Sequence, residues 1–326
     1  MCFIGVDVHN ETHQVCALDE EGRKVWEEAI LTTPQGIADL ARRLKPLHRE
    51  GMHIGVEASG PFWIPLAARF QERGFLVSQV NPYCVKQWAR AKALLTRSDR
   101  VDAALIADYV RVQRPGPFQP MPEPYRTLLD LLRCREKLVH TSTVWKNHLW
   151  SLKKREGALP AARINEQLLK ALEVQITRVD EEIGEIMARI PLSRVLTGIC
   201  GVGPVMAAWF LVCYWNLEAF PSKSQAKARL GLIPEEHTSA GEIRRVYMSR
   251  RGPTAPRRVL HMATQVALYR KNERVQAVYD HRRAKGDNHR KAMTYAMTAL
   301  LLQMWKAAKS YRREVISEEA SPSAVQ

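Results

Sequence analysis

Short apolar runs alternate with helix-spaced patterns over the first 115 residues. Phe3–Val8, Gln14–Leu18, His53–Glu57 and Phe75–Val80 have strand length, with Gly22 and Asn81-Pro82 as turn signals after the second and fourth. Gln35–Leu47 and Pro65–Arg73 space their apolar residues as helices do, and Asp99–Val112 reads as a helix with Ser98 as its N-cap. This alternation predicts an α/β domain over residues 1–115, a mixed sheet flanked by helices. Pro115, Pro117, Pro120, Pro122 and Pro124 follow, so residues 116–124 read as a stiff linker.

Beyond the linker the period changes. Two long helical patterns run from about Tyr125 to Arg155 and from about Ala161 to Ile190, defining a helical region over 125–190. In the second, Leu169, Leu172, Ile176, Val179, Ile183, Ile186 and Ile190 alternate spacings of three and four, a heptad seam. The seam can fold onto the first helix as a hairpin or pair with another protomer. Its regularity, poorly matched by the first helix, favours a homo-oligomer, dimer or tetramer, formed through residues 169–190. A mostly α-helical third domain is expected over 191–314, with a polar, disordered tail over 315–326. Near its start, the Gly201-Val202-Gly203 turn between two helical stretches offers a tight connection or a phosphate-holding helix-hairpin-helix. Trp63, Trp145, Trp150, Trp209, Trp215 and Trp305 sit in helical patterns and are expected in the core.

The 326 residues suffice for two or three domains and a sizeable core. No apolar run is long enough for a membrane span, and Asp7 interrupts the first apolar stretch, unlike a signal peptide. Cytoplasmic residence is the resulting expectation. Six cysteines without CxxC spacing speak against a zinc site or disulfide framework. The net charge of +15 is unevenly placed: residues 240–313 carry 18 Lys+Arg against 4 Asp+Glu, the rest 31 against 30. Such a concentration is the footprint of a surface facing a polyanion.

Four carboxylates are candidates for chemistry. Asp7 closes the run Phe3-Ile4-Gly5-Val6, and Glu57 closes His53-Ile54-Gly55-Val56. Asp99 and Asp102 stand three apart at the start of a helix, hence on one side of it. If the two strands lie side by side, the four can converge. Such a cluster is costly without cations. With two divalent metals, Mg²⁺ or Mn²⁺, it becomes a site for cutting or transferring phosphodiesters.

Ile4-Gly5-Val6-Asp7, Gly55-Val56-Glu57-Ala58-Ser59-Gly60, Val80-Asn81-Pro82 and Asp99-Arg100-Val101-Asp102-Ala103 together resemble the N-terminal domain of insertion-sequence transposases of the 110 family. Gly198-Ile199-Cys200-Gly201-Val202-Gly203-Pro204, Gly231-Leu232-Ile233-Pro234, Ser239-Ala240-Gly241 and Ser249-Arg250-Arg251-Gly252 resemble its second domain. The ordered set spans roughly residues 1–312. The resemblance implies a RuvC-like (RNase H-like) domain with a DEDD metal site at Asp7, Glu57, Asp99 and Asp102, a coiled coil, and a helical transposase domain with a serine nucleophile. It also implies a structured bridge RNA that pairs with target and donor DNA.

The nucleophile falls at Ser239. Ala240 separates it from Gly241, where the family commonly has Ser directly before Gly, so Thr238 stays open as an alternative. His237 is a candidate base and Tyr247 another nearby hydroxyl. Arg244, Arg245, Arg250 and Arg251 flank the serine and are candidate nucleic-acid contacts, for the reacting phosphate or for the duplex generally. The expected function is bridge-RNA-guided DNA strand exchange, with carboxylates and serine brought together by folding or by protomer exchange. The alternatives are a RuvC-like junction or structure-specific nuclease acting by hydrolysis, and a non-catalytic nucleic-acid-binding protein.

Overall fold

The computed structural model describes residues 1–45, 51–58, 60, 62–93, 99–155, 159–239, 242–249 and 252–319, without the side chains of 234–248, 318 and 319. The chain divides into two units, Met1–Pro120 and Met121–Gln326.

The first unit is built on a five-stranded mixed sheet in the order β3-β2-β1-β4-β5. Strands β1 (Cys2–Val8), β2 (Thr12–Leu18) and β3 (Lys24–Leu31) form an antiparallel meander, and β4 (Met52–Glu57) and β5 (Leu76–Val80) add in parallel beyond β1. All seven residues of β1 are buried, as expected of a central strand covered on both faces. Alternation divides its side chains. Ile4 and Val6, with Ile54 and Val56 of β4, meet Leu40 and Leu44 of α1 (Pro34–Leu44) and Leu66 and Phe70 of α2 (Trp63–Gln71). Phe3 packs on the opposite face with Ile106 and Val110 of α4 (Asp99–Gln113), beside α3 (Pro82–Ala91).

Two elements here escape the apolar pattern. Strand β3 lies at the sheet edge and mixes exposed Lys24 and Val25 with Glu27 and Glu28, so no clean alternation marks it. Helix α3 begins where Asn81-Pro82 signals a strand's end. The same pair starts the helix, for the Asn81 side chain accepts from the Tyr83 N–H and Pro82 occupies the first turn. Ser98, expected to cap α4, lies outside the described residues.

Two buried histidines should make this unit acid-sensitive. His13 on β2 is fully buried, and His53 on β4 meets the Ser78 hydroxyl at 2.7 Å through Nε2. Burial pushes both imidazoles down from 6.5 to about 4. Between those values the unfolded chain takes up protons that the folded one does not. The contribution is therefore fully present above pH 6.5 and is lost as pH falls toward 4, about 3 kcal/mol for each histidine. Urea melts of the full chain between pH 7 and 4.5 should show this decline, and His53→Gln should remove part of it. A pH-independent transition would contradict the account.

The second unit is helical apart from one hairpin. Helices α5 (Tyr125–Leu152) and α6 (Leu159–Ala188) pair as an antiparallel hairpin, with Lys146–Glu173 and Lys153–Glu166 ion pairs at 3.5 and 2.8 Å. The heptad seam, expected to favour another protomer, instead meets α5 of the same chain: Leu169, Ile183, Ile186 and Ile190 are buried and Leu172, Ile176 and Val179 half-buried. The two ion pairs run beside the seam in this intrachain register. Trp150, expected in the core, is 65% exposed, with the Lys154 ammonium 3.5 Å from its ring centre.

Helices α7 (Leu192–Thr197), α8 (Pro204–Cys213) and α9 (Lys223–Arg229) follow, then strands β6 (Pro234–Ser239) and β7 (Glu242–Met248). Helices α10 (Thr254–Tyr269), α11 (Glu273–Ala284) and α12 (His289–Glu319) complete the chain. Eight consecutive buried residues, Met206–Cys213, make α8 the central helix, packed with Leu260 of α10 and Leu300 and Met304 of α12. Helix α12 continues to Glu319, past residue 314, where the disordered tail was expected to begin; residues 320–326 lie outside the described residues. No described helix is long and apolar enough to cross a membrane.

Candidate active site

Register aligns two of the four carboxylates. In the parallel pair β1–β4, Gly5 lies opposite Gly55 and Val6 opposite Val56, which makes Asp7 level with Glu57 at the C-terminal edge of the sheet. By alternation Asp7 and Glu57 take the same face as Gly5 and Gly55. That face is the one α4 covers.

The two glycines let α4 approach. A Cβ on Gly5 would lie 2.0 Å from the Ala103 carbonyl oxygen and 2.4 Å from the Ala107 nitrogen; one on Gly55 would lie 2.2 Å from a Val110 methyl. With Ala103 over Gly5, the helix runs counter to the strands, and its first turn, with Asp99 and Asp102, lies toward the edge that carries Asp7. Gly5→Ala must push α4 backbone off the sheet and should cost about 3 kcal/mol. Gly184→Ala, inside α6 with open space around it, should instead stabilise by roughly 0.5–1 kcal/mol. Denaturant melts of both variants measure the contrast, and equal effects would contradict it.

Among the described residues, Asp7, His9 and Asp99 group together, one ligand atom from each lying within 4.8 Å of the other two. His9 Nε2 is 3.1 Å from Asp7 Oδ2 and 3.5 Å from Asp99 Oδ1. Asp7 is only 6% exposed. Burial raises its pKa above the ordinary carboxylate value, His9 opposes the rise, and the negative charges of Asp102 and Asp99 add to it. Asp102 thus belongs to the same electrostatic cluster, and Glu57 is placed one strand over by register. His9 was missed in the sequence. Its only signal there is the Asp7-Val8-His9 spacing, which aims alternate residues to one side of a strand end.

These donors suit a divalent cation. Carboxylate oxygens with one imidazole can hold such an ion, and its charge would offset the Asp102 and Asp99 charges that add to the burial-driven rise of the Asp7 pKa.

Ser239 belongs to the second unit. Its backbone ends β6, paired with Glu242 of β7, and Thr238 pairs with Ile243 after a register shift at His237. Arg244, Arg245 and Tyr247 lie on β7 by their backbone. Ala240, Gly241, Arg250 and Arg251 lie outside the described residues.

Two family models match in tandem. One, a DEDD transposase of IS110 type, covers residues 4–153; the other, the transposase IS116/IS110/IS902 family, covers residues 193–280. Among similar curated proteins, the pilin gene-inverting protein of Moraxella bovis is 25% identical over 250 residues, 74% of each chain. The transposase for insertion sequence element IS1111A of Coxiella burnetii is 23% identical over 305 residues, 83% of this chain and 79% of its own. A probable family 20 transposase of Pseudomonas aeruginosa is 23% identical over 291 residues, 79% of this chain and 81% of its own.

Proposed function

Because the chain belongs to the IS110 family of insertion-sequence transposases and so acts on DNA, we propose that it exchanges DNA strands under the guidance of a bridge RNA, through a Mg²⁺-dependent carboxylate site and a covalent serine–DNA intermediate. The observation that carries the metal half is the grouping of Asp7 and Asp99 around His9 at the end of two parallel strands, with the charge of Asp102 acting on Asp7.

Asp7, Glu57, Asp99 and Asp102 would hold the metal. Bound there, it would neutralise phosphate charge and polarise the scissile phosphorus. His9, within hydrogen-bonding reach of Asp7, orients that carboxylate and Asp99. Ser239 supplies the nucleophile, Thr238 being the alternative hydroxyl. Its Oγ forms a bond to phosphorus as one P–O ester bond breaks; the hydroxyl proton passes to a base, and the departing oxygen takes up a proton. A serine hydroxyl needs such activation near neutral pH. The phosphoserine ester keeps the bond energy, and the reverse step joins the new DNA end without ATP.

Arg244, Arg245, Arg250 and Arg251 flank Ser239 in sequence and suit backbone phosphates. Recognition through base pairing leaves the protein to read helical shape and backbone. The strong positive charge of residues 240–313 fits that task. Strand exchange joins two DNAs, so the active form is a homo-oligomer. Residues 169–190 already pack on α5, so any pairing through this region uses the remaining faces of the hairpin.

The test is a strand-exchange assay with RNA transcribed from the non-coding DNA beside the gene. Exchange should need that RNA and Mg²⁺ or Mn²⁺, and stop with EDTA. Undiminished exchange without the RNA would remove the guidance from this reading; undiminished exchange in EDTA would remove the metal.

A further inference from the structure

A cavity of about 430 Å³ opens between α10 and α12. Its size falls in the range of small-ligand sites. Arg257, Arg258 and His261 come from α10, and His289 and Arg290 from the first turn of α12. The floor is apolar: Met293 and Met297, both buried, lie one turn apart on α12. No carboxylate lines it among the described residues.

The cationic groups are not equally committed. Arg258 is paired with Glu136 of α5 at 2.6 Å. Arg257 Nη1 donates to the Ser249 carbonyl at 2.9 Å, and His289 Nδ1 meets the Tyr279 hydroxyl at 2.8 Å, leaving Nε2 for a ligand. The side chains of Arg290 and His261 make no hydrogen bond or ion pair among the described residues. A cationic rim above a methionine floor matches a nucleotide, whose anionic phosphate and flat apolar base have the same two-part character.

Position narrows the source. Ser249 follows β7 directly, and its N–H donates to the Ile233 carbonyl, just before β6, at 3.0 Å. Arg257 therefore braces the root of the hairpin whose β6 strand ends in Ser239. The strand that meets this hairpin in the reaction above is DNA. We propose that the α10–α12 cavity takes one unstacked nucleotide of the DNA strand being cut, its phosphate on Arg257, Arg290 and His289 and its base on the Met293–Met297 floor. The proposal rests on the strand-exchange reading for the identity of that strand.

The experiment uses the full chain with single-stranded DNA bearing 5-iodouracil, irradiated and mapped by peptide mass spectrometry. The expected crosslink is to Met293 or Met297. Arg290→Gln, an exposed change, should weaken binding of the same oligonucleotide about tenfold and lower the salt dependence by roughly one released ion. Crosslinks only to other peptides, or unaltered binding by Arg290→Gln with the fold intact by circular dichroism, would overturn the proposal. Equal crosslinking and equal loss with the matching RNA, or full competition by a free deoxynucleotide, would overturn the assignment to a DNA strand. Ser239→Ala separates this proposal from the reading beneath it: it should keep the crosslink and lose only the covalent adduct. An adduct in the wild type without the methionine crosslink would sink the cavity alone.

Discussion

Ser239→Ala is expected to abolish the covalent protein–DNA adduct and lower strand exchange by about 10⁴-fold or more, with the fold unchanged. Removal of an activated nucleophile takes away the whole reaction coordinate, and losses of this order are usual for such groups. Stability should change by no more than about 0.5 kcal/mol, because Ser239 closes β6 and alanine is compatible with a strand-end backbone. Thr238→Val, one position earlier, serves as the comparison. If Ser239 is the nucleophile, Thr238→Val keeps the adduct. If the adduct survives Ser239→Ala and disappears with Thr238→Val, the roles are exchanged. Gel analysis under denaturing conditions, alongside an exchange assay and a melt, reads all three quantities.

Asp7→Asn should separate activity from stability in the opposite sense to an ordinary core mutation. The substitution keeps the shape and removes a buried negative charge. In the metal-free protein that charge is unfavourable: burial, then the charges of Asp102 and Asp99, hold the Asp7 pKa above its ordinary value, against the pull of His9. An acid with a raised folded-state pKa binds its proton more tightly in the fold. Its contribution is fully present below the unfolded value of 3.8 and is lost as pH rises through the higher folded value. At neutral pH, therefore, Asp7→Asn should leave the metal-free protein as stable as the wild type or more so. It should also abolish the Mg²⁺-dependent rise in melting temperature and reduce exchange by about 10³-fold or more, as expected on losing a ligand that organises the metal. Melts with and without Mg²⁺ and an exchange assay measure these effects. A marked destabilisation of the metal-free variant, with its Mg²⁺ response intact, would show that Asp7 serves the fold rather than the metal.

The parts of the fold legible in the sequence are those whose side chains carry a clean period. Strands β1, β4 and β5 are short apolar runs, and α4 shows both its acidic first turn and its apolar face. Hairpin β6–β7 was not legible, because Glu235, Glu236, His237 and Thr238 offer no alternation and its register comes from cross-strand pairing. The heptad seam was legible as a seam but not as to its partner: the Lys146–Glu173 and Lys153–Glu166 pairs join positions whose relation exists only once the hairpin closes. The carboxylates show a similar division. Their residue types and strand-end contexts stand out in the chain. Their common face depends on Gly5 and Gly55, whose lack of side chains brings α4 down onto the sheet, and on the β1–β4 register. His9 lies just past a strand end, half exposed, and only its distances to Asp7 and Asp99 draw attention to it.

In the proposed reaction, carboxylate-bound metal and Ser239 would act on the same phosphate. The most direct measurement is to trap the reaction with DNA, guide RNA and Mg²⁺, denature it, digest the protein and locate the DNA-bearing peptide by mass spectrometry. DNA is expected on Ser239 in the wild type, with none attached in Asp7→Asn or in EDTA. Strand cleavage with no protein-bound DNA, or an adduct on Ser239 that forms equally well in EDTA, would contradict it.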